Sequence, residues 1–459
     1  MLKNKLIFLF LFLPAVVFAQ NNEPALKLDF PLFDLPYQID AMDTVGHGFF
    51  SSYANPSMAQ SLAVAVNVHS SFHFGMVTLF NSWNWNFYLG WWNLKTILLD
   101  ASLVLGDVLL SYTPGGWGWM HEEHHRAILT RYGVSSFNDM NTFPLGNEYV
   151  TVNSVTDEDL IRFKAESPAD FVRAHEAGVE SHYLIVDRLQ RNAFFYNQEL
   201  RFYVFNLFVT WNAHQYIFSA THSKYNGSDV DIRNMKETSI SSRDYTGDDI
   251  AAWAYDLFRP NEPYDARGLH PTGEGIDRYR KASDLSKDEA DYIRLQRYWH
   301  SLNYISPMLW GIDRIVIGDT GFYGNFAFRH LLTSFGTTAS FNLFLKKDIF
   351  NMVFIFHNHM NYDNWFPAVE AELLGFPVSV GPLNLYISPR IIIGMQPKNQ
   401  NFKTDSSEFL GLAGCRVDFN ISRYFLPYIE VAAKTNGWVA GNEFLGKNIS
   451  CRLGVSARI

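Results

Sequence analysis

The chain is poor in cysteine and in charge. Two cysteines in 459 residues exclude a disulfide-built scaffold and a four-cysteine zinc site. Charged residues reach 18%, below the roughly 25% of an average soluble domain. Acidic residues outnumber basic ones, 46 to 37. The net charge of −9 would repel phosphates, so no nucleic-acid partner is expected. There is no G-x-S-x-G elbow, phosphate loop or dinucleotide fingerprint, and nothing supports a Ser or Cys nucleophile. Apolar residues are not scarce. Hydrophobic side chains make up 47% and aromatics 16%, which rules out disorder and supplies a large core.

Residues 1–19 have the pattern of a signal peptide. Lys3 and Lys5 give a positive start, Leu6 to Val17 an apolar run, and Val17-Phe18-Ala19 a small-x-small cleavage site. The expected address is therefore the periplasm or outer membrane of a Gram-negative bacterium. The best later membrane candidate is Trp91 to Tyr112. Asp100 and Asp107 interrupt it, so a buried or membrane-surface helix is expected there.

The period of the apolar residues divides the rest. Residues 20–312 read as a helical domain, with helices over Ser57–Trp83, Trp117–Tyr132, from Pro168 towards Asn197, and over Tyr203–Ser219. Polar insertions follow at Ser223–Asp249 and Arg259–Asp291, placed to flank a cleft. From Gly321 the period becomes two. About eight antiparallel strands are expected in the domain 313–459, the last alternating Ile449, Cys451, Leu453 and Val455 with Ser450, Arg452 and Ser456. The expected fold class is α+β. Strands of this length with one apolar and one polar face resemble a small outer-membrane β-barrel. A curved soluble sheet packed on the helices has the same period, and the two stay open here. Cys415 and Cys451 fall on the apolar side, as small hydrophobes rather than a bridge.

One constellation carries chemistry. His121-Glu122-Glu123-His124-His125 is an H-E-x-x-H match. On a helix, His121 and His125 stand one turn apart on one face and can reach one ion, with Glu122 beside them as general base. The motif resembles that of zincin metallopeptidases. Position 131 is Arg, so the ligand pattern of the longer H-E-x-x-H-x-x-G-x-x-H class is absent. The resemblance is to gluzincins, whose third zinc ligand is a glutamate from a later helix. It implies Zn2+ held by His121, His125 and Glu180 or Glu176, with peptide or protein substrates. His182 or His175 could stabilise an oxyanion. Ala174, Ala177, Gly178 and Ser181 give the second helix a small-residue face that admits a close neighbour.

Two other readings remain at this stage. One is a non-enzymatic outer-membrane barrel with a helical cap or plug. The other is a di-iron oxidoreductase, in which His69 and His73 (H-x-x-x-H) join His121, His124 and His125. His69 and His73 also remain candidates for lining the same pocket as the first motif.

Overall fold

The computed structural model describes residues 26–45, 55–84, 87–89, 92–141, 150–196, 200–319, 321–422 and 424–459. The expected leader, 1–19, lies outside the described residues. Strand β1 (Lys27–Leu35) comes first. Among the described residues ten α-helices follow: α1 (Tyr37–Val45), α2 (Met58–Ser82), α3 (Leu94–Ser111), α4 (Trp117–Arg131), α5 (Asp157–Glu166), α6 (Pro168–Tyr196), α7 (Tyr203–Ser219), α8 (Ser223–Lys236), α9 (Asp249–Phe258) and α10 (Lys287–His300). Then come β2 (Ile315–Ile317), β3 (Phe322–Thr333), β4 (Gly336–Lys347), β5 (Phe350–Met360), β6 (Trp365–Leu373), β7 (Phe376–Val380), β8 (Leu383–Pro397), β9 (Ser407–Phe419), β10 (Phe425–Lys434) and β11 (Asn448–Arg458).

The fold is α+β. The strands form one 11-stranded antiparallel sheet in the order β1-β11-β10-β9-β8-β6-β5-β4-β3-β2, with β7 paired to β8. Three of them, β1, β2 and β7, are additional to the eight read from the pattern. β1 also shows that the sheet is not confined to 313–459, because Lys27 pairs opposite Arg458 and Leu35 opposite Cys451.

The closed barrel is corrected to a curved sheet with two edges, at β1 and at the β2–β3 side. The physical reason lies in who satisfies the edge groups. Asn67 of α2 accepts from Asp29 N at 3.1 Å and donates to Asp29 O at 2.7 Å on β1. On β3, Asn303 accepts from His330 N at 3.0 Å and donates to His330 O at 3.2 Å. Phe328 N donates to Ile305 O at 3.1 Å. Side-chain amides and a turn thus take the places a closing strand would fill.

Helix α6 organises the core. Its first half packs among α4, α5 and α9, with Phe171, Ala174 and Ala177 buried beside Ala127 and Ile128 of α4. Its last turns enter the concave side of the sheet, where Phe194 and Phe195 bury against Phe344, Val353 and Ile355. The rim of the sheet nearest the helices joins them through Phe335 and Trp438, which pack with Trp253 and Tyr292. Helix α3 covers the span where Asp100 and Asp107 were noted. Asp107 is buried between His69 and His73 of α2, and Asp100 pairs with Arg201 at 2.9 Å. Among the described residues, α2 is the one helix long and apolar enough to cross a membrane.

Candidate metal centre

Helix α4 begins where α3 is broken. Pro114-Gly115-Gly116 makes the turn, and a Cβ on Gly116 would lie 1.9 Å from the Leu110 carbonyl oxygen, so only glycine fits. From Gly116 the helix runs straight through His121 and His125, four residues apart and buried at 4% and 1% exposure. Their Nε2 atoms lie 3.1 Å from each other.

The acidic partner comes from the polar insertion. Asp248 caps α9 by accepting from Ala251 N at 2.8 Å, and Asp249 is the first helical residue. Its Oδ2 stands 3.1 Å from His121 Nε2 and 3.5 Å from His125 Nε2. These are the three atoms, His121 Nε2, His125 Nε2 and Asp249 Oδ2, that the described residues bring together as candidate ligands. The helix N-terminus favours the carboxylate charge at this position.

Each imidazole is oriented from behind. The Nδ1–H of His125 faces the Ala174 carbonyl at 2.6 Å and the Tyr245 oxygen at 2.8 Å, while the Tyr245 hydroxyl donates to Ala174 O at 2.6 Å. The Nδ1–H of His121 points at His182 Nε2, 3.0 Å away. With each Nδ1 engaged from behind, both Nε2 atoms are left facing Asp249 and each other, and a metal bound there would replace the Nε2 protons that Asp249 otherwise holds in place.

Gly178 provides the space. A Cβ built on it would fall 2.2 Å from His125 Nε2 and 2.5 Å from His121 Nε2. The small face of α6 therefore meets the candidate ligand atoms directly, and a side chain there would collide with both nitrogens.

The charges agree with the geometry. Burial disfavours the Asp249 charge, but His125 and His121 more than offset it and hold its carboxyl well below the usual range. Burial lowers His125, and Asp249 reverses that, leaving it pushed up to about 9. Burial pulls His121 and His182 down. Glu122 is raised well above the ordinary carboxylate range by burial, opposed by His125 and reinforced by Asp244 and Asp249. Burial likewise pushes the neighbouring Asp244 and Asp248 up to about 6.

Asp249 takes the place expected for Glu180 or Glu176. Glu180 is committed elsewhere: Arg173 Nη2 donates to it at 3.0 Å and Gly441 N at 2.6 Å. Glu176 is buried one turn earlier, raised by burial and by Glu180 beside it. The physical reason is that α6 turns Gly178 towards the Nε2 atoms of both imidazoles, while Glu180 is bonded to Arg173 and Gly441. His175 does not reach the cluster as an oxyanion donor. Its Nε2–H donates to Asp256 at 2.8 Å and its Nδ1 accepts from Thr246 Oγ1 at 2.6 Å. His182 stands at the site, with its Nε2 engaged by His121. His69 and His73 do not join His121 and His125, because each is held by Asp107 at 2.8 Å. A cavity of about 320 Å³ lies elsewhere, in the hollow of the sheet beside α2 and α6.

Asp249 and Tyr245 are the site residues that motif reading missed, while Gly178 was read only as part of the small-residue face. The available signal was Gly247-Asp248-Asp249 before the apolar run Ile250–Phe258, a helix start with an acid in the first turn. Comparison of the chain with protein-family models, with curated protein sequences and with solved structures finds no match.

Proposed function

We propose that the protein is an exported metal-dependent hydrolase that cleaves peptide bonds at the His121–His125–Asp249 cluster. The observation that carries this is the ligand triangle, with sides of 3.1, 3.1 and 3.5 Å. Zinc bonded at about 2.0–2.1 Å in tetrahedral geometry sets neighbouring ligand atoms roughly 3.3–3.5 Å apart. The donor set of two imidazoles and one carboxylate suits zinc. The triangle fits such an ion, and glycine at 178 keeps a side chain off its two nitrogens.

A bound Zn2+ would supply an acidified water and polarise the scissile carbonyl. The chain's own groups do the rest. Asp249, together with the backing of His121 by His182 and of His125 by Ala174 and Tyr245, fixes the ligand lone pairs. Glu122, adjacent in the helix and raised in pKa, takes the proton of the attacking water and returns it to the leaving amine. Buried walls exclude bulk water, since His121, His125, Asp249 and Glu122 are each exposed by 9% or less.

That burial also favours a second reading, a structural ion without catalysis. Structural zinc sites are closed by four protein ligands, whereas catalytic ones leave a position open. The described residues offer three, which supports the hydrolase. Glu122→Gln tests the choice. A hydrolase retains stoichiometric zinc and loses peptide cleavage by about 10²-fold or more. A structural site retains zinc, and its wild type shows no cleavage to lose.

A further inference from the structure

The sheet is inside out. Pairing places Arg416 beside Glu430, Glu430 beside Arg452, and Arg452 beside Asp34, one charged row across four strands. This row faces the hollow around α6. Arg416 bonds Asp418 and Asp29 at 2.8 Å, Arg452 bonds Asp34 at 3.0 Å, and Arg191 of α6 bonds Glu372 at 2.6 Å. One residue along, the rows on the convex face are apolar. Val417, Ile429, Leu453 and Phe33 form one, and Phe328, Phe341, Phe356 and Val369 another. In these rows Phe356, Val369 and Leu453 are exposed by 54, 50 and 38% and the other five are half-buried, while Ile393 and Val431 on the same face are exposed by 47 and 44%. A soluble protein places its sheet charges outward and its large hydrophobics inward.

We propose that the convex face of the sheet stands in the hydrocarbon of a lipid bilayer. The residues on that face carry no charge over the middle of β4 to β6 and β8 to β11, and both Cys415 and Cys451 lie on it. Seven of the strands from β3 to β11, all but β6 and β7, have 10 to 15 residues, and a tilted transmembrane strand needs about 9–11. Aromatics mark both rims, Phe350 and Phe425 at one and Trp365 and Phe409 at the other, exposed by 44, 59, 65 and 54%.

An open sheet edge is not tolerated in lipid. The Asn67 and Asn303 clasps remove that obstacle, because helices complete the circuit that the strands leave open. β1 packs on α2, α2 on α3, and α3 on α7, which packs on the turn Pro307–Trp310 beside β3. Helix α3 continues the apolar surface with Leu105 and Leu109, exposed by 62 and 56%. The lipid-facing belt is therefore part sheet and part helix. This proposal stands independently of the metal site.

The native cysteines Cys415 and Cys451 test it. Cys415 is exposed near the middle of β9, opposite Val431. The full chain, purified in detergent and placed in phosphatidylcholine vesicles, is treated with a sulfonated, membrane-impermeant maleimide. The expected result is labelling of Cys415 and Cys451 about tenfold or more slower than in the urea-unfolded chain. A small apolar maleimide reacts readily, and an Asp405→Cys variant in the exposed turn between β8 and β9 is labelled by both reagents. Labelling of Cys415 in vesicles by the charged reagent as fast as in the urea-unfolded chain would overturn the proposal. So would protection in detergent-free buffer as a defined dimer or higher oligomer, which would assign the face to a second copy of this chain.

Discussion

Gly178 of α6 lies against the imidazole of His125 so closely that a Cβ there would stand 2.2 Å from Nε2. Adding one methyl group should therefore force both imidazoles out of the ligand geometry and displace a metal. For Gly178→Ala we expect loss of stoichiometric zinc and a stability cost of about 1–3 kcal/mol from overpacking. Gly227→Ala is the control, in α8 with nothing within 4 Å of the added Cβ. It should keep its zinc and gain about 0.5–1 kcal/mol from helix propensity. Zinc content and urea midpoints of the two variants check both statements. A zinc-replete Gly178→Ala protein would contradict the placement of the ion.

Tyr245 reaches the site through a hydroxyl. It donates to Ala174 O and approaches His125 Nδ1 at 2.8 Å. Tyr245→Phe keeps the ring and removes that support. Zinc affinity should fall by about tenfold, with an unchanged circular dichroism spectrum. Calorimetric titration of the apoprotein with zinc measures it, and an unchanged affinity would show that the hydroxyl does not orient the imidazole.

Asp256 ties α9 to α5 and α6. It accepts from Lys164 Nζ at 2.7 Å and His175 Nε2 at 2.8 Å, and it pairs with Arg267. Burial opposes its charge, but Arg267, His175 and Lys164 hold its carboxyl far below the usual range. A depressed carboxylate contributes stability that is complete above its unfolded pKa, near 3.9, and is lost as pH falls through and below that value. Burial also lowers His175. The unfolded chain thus takes up the His175 proton first, and stability should begin to decline below about pH 6.5. Urea midpoints at about pH 7, 5 and 4 should fall in that order. Asp256→Asn should cost about 3–5 kcal/mol at neutral pH by leaving buried cations unpaired. A midpoint constant across this range would contradict the assignment.

Much of this architecture was legible because it rests on local periodicity. The alternation of Ile449, Leu453 and Val455 with Ser450, Arg452 and Ser456 marked β11, and the H-E-x-x-H spacing marked α4. What was not legible depends on contacts between distant residues. β1 joins the sheet through pairing with the other end of the chain, and no local pattern states that. The small-residue face of α6 was visible, but which residue filled it depended on helix rotation. Gly178 meets the imidazoles, so the acid had to come from another helix. Asp249 sits at the end of a polar stretch whose composition signals a loop, and only the cap at Asp248 fixes it in place as a candidate ligand. Alternation alone could not say which face of the sheet is outward, since apolar-in and apolar-out sheets share one period.

Whether Asp249 completes a metal site with His121 and His125 is tested most directly by zinc analysis of three variants. Asp249→Ala, Glu180→Gln and Glu176→Gln are purified alongside wild type, and zinc per chain is measured together with a thermal melt. We predict near-stoichiometric zinc in wild type and in both glutamine variants, and its loss in a folded Asp249→Ala protein. Zinc retained in Asp249→Ala but lost in Glu180→Gln or Glu176→Gln would return the third ligand to α6 and contradict the account, as would a wild-type protein that binds no divalent ion.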